Sequence, residues 1–234
     1  MRVLGDLVAR DRRSDRPALR IDARDRTFSY HEFCTTAWKA GHALTHLGVH
    51  RGSRVALATD PSPPILQTCV GAASLGARVA FDTSAESRVV VVPADREAEF
   101  DAAASRVVVY GDAPASTAAT HWEGVVWSEN PSVPPAEPDP ADPVLDRPAD
   151  DAPLTHCDFL SRAERIVADA GLDAETSVAL RASLADPHAV IAGVVAPLVA
   201  GGTVVIPDGG GASADVAVGS DPAPEPRRID PDTV

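Results

Sequence analysis

Short apolar strand patterns alternate with helical ones along most of this chain, and that alternation limits the fold more than any other feature. Val55–Ala58, Arg78–Phe81, Arg88–Val92 and Val107–Tyr110 are compact runs rich in valine and alanine. Such runs read as buried strands. Between the first two, Pro63-Pro64 opens a helix that stops at Gly76, because proline lacks only an N–H that the first turn leaves unpaired anyway. A second helix is expected over Asp95–Ala104. Upstream, Leu19–Ile21 and Thr27–Ser29 read as strands around a turn at Asp22–Asp25. Ser29 and Glu32 then form a capping box. The helix behind it carries Phe33, Ala37, Ala40, Leu44 and Leu47 on one stripe and ends at Gly48. Strands alternating with helices predict an α/β fold of parallel sheets flanked by helices.

The division along the chain is read from composition. Residues 1–129 are expected to form a first α/β lobe, with a further strand candidate at Gly124–Trp127. Residues 130–153 hold eight prolines and many aspartates, and predict an extended linker. Residues 154–208 predict a second, partial α/β lobe: helix Asp158–Ala170, strand Ser177–Arg181, helix Pro187–Ala200 and strand Thr203–Ile206. The tail, 209–234, is Gly-, Ala-, Pro- and Asp-rich, and is expected to be mostly disordered with one strand candidate at Ala214–Val218.

Charge excludes one class of partner. The net charge is −13, and Lys39 is the only lysine. A surface this acidic repels phosphate backbones, so nucleic acid is not an expected partner. Dense carboxylates with few lysines suit a salt-rich cytoplasm, where screening quiets their repulsion. A GC-rich genome also favours Ala, Arg, Asp and Gly, but by itself it does not give this net charge. Aromatics are 4 % of the chain, so the core must be built mainly from Ala, Val and Leu. Cys34, Cys69 and Cys157 are widely spaced and form no CxxC pair, which supports neither a disulfide framework nor a zinc knuckle. Met1–Ala9 is too short for a secretory leader and is interrupted by Asp6. No apolar run reaches the length of a membrane span. A soluble cytoplasmic protein without a membrane partner is the expectation.

Two smaller patterns have plain readings. His42, His46 and His50 are four apart, so two could share a helix face and bind a metal. Gly48 is expected to end the helix before the third, and a solvated histidine face is the favoured reading; no metal site is expected. Gly209-Gly210-Gly211 follows a strand as a phosphate loop would, but neither a lysine nor an amphipathic helix comes after it.

Three blocks together carry a resemblance. Thr27–Phe33 (TFSYHEF), Gly48–Ala56 (GVHRGSRVA) and Gly71–Asp82 (GAASLGARVAFD) resemble, in order and spacing, the opening motifs of the AMP-forming acyl-CoA synthetase, or adenylate-forming, superfamily. Leu154-Thr155-His156 is similar to the tripeptide that follows that family's ATP-gripping loop, and Ala196–Val205 (APLVAGGTVV) to a later helix-to-strand passage. The resemblance implies a shortened N-terminal domain of an acyl-CoA synthetase. By that resemblance Thr155, His156 and, more loosely, His188 are the residues that would touch nucleotide or acyl substrate. Thr155 also reads as a helix cap with Asp158, and His156 as an exposed histidine at a helix start.

The family's Gly/Ser/Thr/Lys phosphate loop has no counterpart. Asp146–Pro153 contains no glycine, serine, threonine or lysine. A phosphate cradle needs converging backbone N–H groups and cationic help. Asp150 and Asp151 would repel a triphosphate, and two prolines lack the N–H. The family's ribose-holding acid and lid lysine also have no counterpart in these residues, so no catalytic residue is assigned. The expectation is an accessory or binding protein that does not adenylate by itself and needs no cofactor. ATP or AMP and CoA would enter only if a partner polypeptide completed the fold, as in a split ligase. A third reading is an acyl- or nucleotide-binding regulator.

Overall fold

The computed structural model describes residues 1–101, 103–147, 152–219 and 222–231. The chain begins with a 3-10 turn, Leu4–Val8, whose Leu4, Leu7 and Val8 are buried. Strands β1 (Pro17–Ile21) and β2 (Arg26–Ser29) lead into helix α1 (Tyr30–His46). Then come β3 (Arg54–Leu57), helix α2 (Pro63–Ser74), β4 (Arg78–Ala80), β5 (Val89–Pro93) and β6 (Arg106–Tyr110). Next are β7 (Thr120–His121), helix α3 (Trp122–Ser128), β8 (Pro143–Leu145), β9 (Leu154–Thr155) and helix α4 (His156–Ala170). The last part holds β10 (Ser177–Leu180), helices α5 (Pro187–Val190) and α6 (Ala196–Ala200), β11 (Thr203–Ile206), β12 (Val216–Val218) and β13 (Arg227–Ile229).

Among the described residues the strands form two sheets. One has the order β13-β12-β10-β11-β1-β2, and the other β7-β6-β5-β3-β4-β8-β9. All pairings are parallel except β1 with β2 and β8 with β9. The central strands β3, β5 and β10 are buried on both faces, as parallel strands between helical layers must be. This is the α/β architecture that the alternating pattern predicts.

Helices α1 and α2 cross closely, and glycine permits it. A Cβ on Gly71 would lie 2.7 Å from the Ala37 carbonyl oxygen and 2.9 Å from the Gly41 nitrogen. Helix α1 starts at the predicted capping box, with the Glu32 N–H donating to Ser29 Oγ at 3.2 Å and the Ser29 N–H to Glu32 Oε2 at 2.8 Å. Gly48 leaves it with a φ of 83°.

Several expectations need correction. The two sheets cut across the division at residues 130–153. β1 and β2 belong to the sheet of residues 177–229, with Leu19, Arg20 and Ile21 registered against Val204, Val205 and Ile206. A two-stranded ribbon is marginal alone, and β11 offers its apolar residues a partner. The expected linker is not wholly extended chain either. Val144 and Leu145 are buried, and β8 joins the edge of β4. Pro143 stands first in its strand, the position where a missing donor costs least.

Gly124–Trp127 is helical rather than a strand, because Trp122 and Val126 recur at a four-residue spacing and both are buried. The helix expected over Asp95–Ala104 is only a 3-10 stretch, Ala94–Glu99. Its Glu97 turns inward and accepts from the Ala115 and Ser116 N–H groups at 2.7 and 2.8 Å. The expected single helix over Pro187–Ala200 widens to a π-turn at Ile191–Val195, just ahead of Pro197, which cannot donate to the helical ladder. Within the expected disordered tail, β12 and β13 extend the first sheet.

Candidate functional site

The residues that the resemblance singles out lie around the β8–β9 connection. β8 and β9 pair antiparallel, with Pro143 opposite Thr155 and Leu145 opposite Leu154. Residues 146–153 therefore connect them. Asp150 and Asp151 lie outside the described residues.

Asp146, at the start of that connection, is tied down. Its N–H donates to the Val79 carbonyl at 2.8 Å, and its carboxylate receives Arg54 Nε at 2.9 Å and Arg78 at 3.5 Å. Arg54 also donates to the Ala85 and Asp82 carbonyls at 2.9 and 3.0 Å, so one guanidinium fastens the β4–β5 loop to the start of the β8–β9 connection. Sequence reasoning quoted Arg54 only as part of the Gly48–Ala56 block and gave it no role of its own.

Thr155 is the N-cap of α4. Its hydroxyl accepts the Asp158 N–H at 3.1 Å and donates to Asp158 Oδ2 at 2.7 Å, while the Thr155 N–H reaches the same carboxylate at 3.2 Å. Asp158 is held below the usual carboxylate range, chiefly by the hydroxyl bond.

His156 corrects the expectation of an exposed ring. It has 0 % exposure, enclosed because Leu4, Leu7 and Val8 pack the N-terminal turn into the core. The Leu4 N–H donates to its Nδ1 at 3.1 Å, which places the ring proton on Nε2, and Nε2 has no partner among the described residues. Burial pushes its pKa down to about 4, so the ring is neutral at pH 7. A sealed neutral imidazole can shape the end of α4, but it cannot meet a ligand unless the N-terminal turn moves.

His188 lies half-buried on a different element, in the first turn of α5. Its N–H donates to Asp186 Oδ1 at 2.9 Å. The adjoining loop meets the end of β3, where the Leu184 N–H donates to the Thr59 carbonyl at 3.2 Å. The chain thus joins Thr155 and His156 at one helix start and sets His188 on another.

The histidine series on α1 turns toward the 129–132 segment. His42 Nε2 donates to the Ser132 carbonyl at 3.0 Å, and His46 Nδ1 meets Glu129 Oε1 at 2.8 Å. Among the described residues no cluster of metal ligands forms. Cys34, Cys69 and Cys157 are free. No described helix is long and apolar enough to cross a membrane.

The tail supplies a second feature that sequence reasoning missed. Arg181, just beyond β10, donates to Glu225 Oε2 at 2.8 Å and to the carbonyls of Gly209 and Gly211 at 2.6 Å each. The Glu225 side chain is 0 % exposed, and its pKa is lowered, mainly by Arg181. The triglycine stretch is thus an acceptor for an internal cation. Its carbonyls face a guanidinium, where a phosphate cradle would present N–H groups.

No curated protein matches the sequence. Solved structures match the fold. The chain is similar to an anthranilate CoA ligase, AuaEII, solved in complex with anthranoyl-AMP: the TM-score is 0.82 at 18 % identity, over 93 % of this chain and 49 % of that one. ATP-bound MatB from Rhodopseudomonas palustris superposes with a TM-score of 0.76 at 16 % identity, over 92 % and 49 % of the two chains. A benzoate CoA ligase from Burkholderia xenovorans gives 0.75 at 18 % identity, over 94 % and 50 %. The chain therefore spans about half the length of these structures. The sequence model of one family, described as AMP-binding enzyme, matches residues 8–145, more than half of the chain. The chain belongs to the AMP-binding enzyme family.

Proposed function

We propose that this chain is a non-catalytic member of its family: a binding or accessory protein with the ligase scaffold and no adenylation activity of its own. One observation carries the reading. The β8–β9 connection, Asp146–Pro153, has no glycine, serine, threonine or lysine, and its sequence holds three aspartates against one arginine. A triphosphate held there would meet carboxylates and prolines instead of converging amide donors. Asp146 is already committed to Arg54 and Arg78. The capping role of Thr155 and the burial of His156 support the same reading, since each has a structural task in this chain. In this reading no cofactor is needed, and the setting is a salt-rich cytoplasm, which the net charge of −13 supports.

A partner chain that completed the ligase would need an apolar face to dock on. The large apolar side chains that the described residues expose are Met1, Trp127 and Val133, which supports the first reading over a split ligase. The test is a melting curve in high salt with and without magnesium ATP. A ligand at about 100 times its Kd adds about 2.7 kcal/mol, a shift of several degrees. The expected result is no saturable shift with ATP or AMP; a saturable rise would overturn the reading.

A further inference from the structure

A doubly wound sheet opens a crevice at the carboxyl ends of its strands, where successive connections leave in opposite directions. Each sheet here has one such point. In the first sheet β10 connects toward β11 on one side, while β12 connects toward β13 on the other. The chain fills that crevice itself. The Arg181 N–H donates to the Val218 carbonyl at 2.9 Å, and its guanidinium is closed by Glu225, Gly209 and Gly211.

In the second sheet β3 leads to β4 on one side and β5 leads to β6 on the other, so the crevice lies between β3 and β5. There the chain leaves an open cleft of about 660 Å³ between the strand ends, α1 and α3. Its lining is largely apolar: Pro61 in the connection after β3, Pro63 at the start of α2, Pro93 at the end of β5, Phe28 on β2, and Trp122 and Trp127 on α3. Trp127 is 68 % exposed, although it is among the largest apolar side chains in the molecule.

The polar part of the wall is incomplete. Gln67, on α2, is 2 % exposed and lines the cleft, yet its Nε2 has no acceptor among the described residues. Thr35, on α1, also lines the cleft, and its Oγ1 has no partner among the described residues. A buried donor left unpaired costs about 1–3 kcal/mol, so a group that accepts from it is favoured. The charges in the lining are mixed: Arg24, Arg26 and Lys39 stand with Glu32, Asp95, Asp112 and Glu123. Within a chain of net charge −13, this arrangement disfavours an anion.

We infer that this cleft binds a small, flat, uncharged aromatic molecule bearing a carboxamide. The ring lies among the prolines and tryptophans. The amide carbonyl accepts from Gln67, and the amide N–H donates to Thr35. The inference is independent of whether the chain adenylates anything, since no residue of the β8–β9 connection takes part.

Benzamide is the probe, with benzoate as its charged isostere. Tryptophan fluorescence in high salt reports binding, because Trp122 and Trp127 line the cleft whereas Trp38 is buried elsewhere against Val8. The expected result is a saturable change with benzamide, at least tenfold weaker with benzoate. Gln67→Leu should weaken benzamide about tenfold while leaving the melting temperature unchanged or higher, because it removes an unpaired donor. Thr35→Val, milder for folding, should weaken binding several-fold. In amide NMR spectra of the unaltered protein, benzamide should move the Gln67 side-chain pair. No saturable change, equal binding of benzoate, or a Gln67 pair that stays still would overturn the inference.

Discussion

His156 sits where a charged ring would cost most. It is buried, neutral and bonded to the backbone of Leu4, so folding removes the proton that an unfolded histidine binds below about pH 6.5. The folded pKa is depressed to about 4, and the sign follows. Between pH 6.5 and 4 the unfolded chain holds more protons, so stability falls as pH falls through that window. The histidine accounts for a loss of about 3 kcal/mol across it. His156→Gln should be modestly less stable at pH 7 and should lose less stability on acidification to pH 4, as denaturant melts at a series of pH values will show. Parallel pH profiles for the two proteins would refute this assignment. The tripeptide around His156 was legible as a motif and Thr155 as its cap. The burial was not legible, because it depends on Leu4 meeting residue 156 across most of the chain.

At the scale of elements, the α1–α2 crossing is the tightest joint. Alanine in place of a mid-helix glycine ordinarily stabilises by up to about 1 kcal/mol. At Gly71 the added methyl would stand 2.7 Å from one backbone atom and 2.9 Å from another, neither of which can rotate away. Overpacking of this kind costs about 1–3 kcal/mol, so it outweighs the propensity gain. Gly71→Ala should therefore lower the denaturation midpoint; a rise would mean that the helices part easily. The strands, the capping boxes and the start of α2 could be read locally, because valine runs, Ser29 with Glu32, and Pro63-Pro64 act over a few residues. The errors came where a distant partner decides. Glu97 turns inward from its 3-10 stretch to hold the 115–116 backbone, and Val144 and Leu145 leave a proline-rich stretch to pair with β4. Arg181 recruits a glycine-rich tail in the same way.

The whole molecule is two α/β sheets sharing one chain, and its charge is lopsided. Acidic residues outnumber basic ones 34 to 21. Salt weakens the favourable ion pairs and the net repulsion together, but with this excess the repulsion dominates. The melting temperature should rise by several degrees between about 0.1 M and 1 M KCl, over which the Debye length falls from about 10 to 3 Å. A fall would mean that ion pairs such as Arg54 with Asp146 outweigh the general repulsion. The fold class was legible from the alternation of patterns, whereas the membership of the sheets was not. Parallel pairing between β1 and β11 leaves no local mark on residues 17–29. Of the candidate site, what could be read was an absence, the missing loop chemistry of residues 146–153. The open crevice beside Gln67 could not be read at all, because it exists only once β3, β5 and α1 are placed.

In the proposed reading this scaffold does not activate carboxylates. ATP–pyrophosphate exchange by the purified chain, run in high salt against a broad set of aliphatic and aromatic carboxylic acids, tests it most directly. Exchange no faster than in the enzyme-free control is expected for every acid; exchange that depends on one acid and saturates with it would overturn the proposed reading.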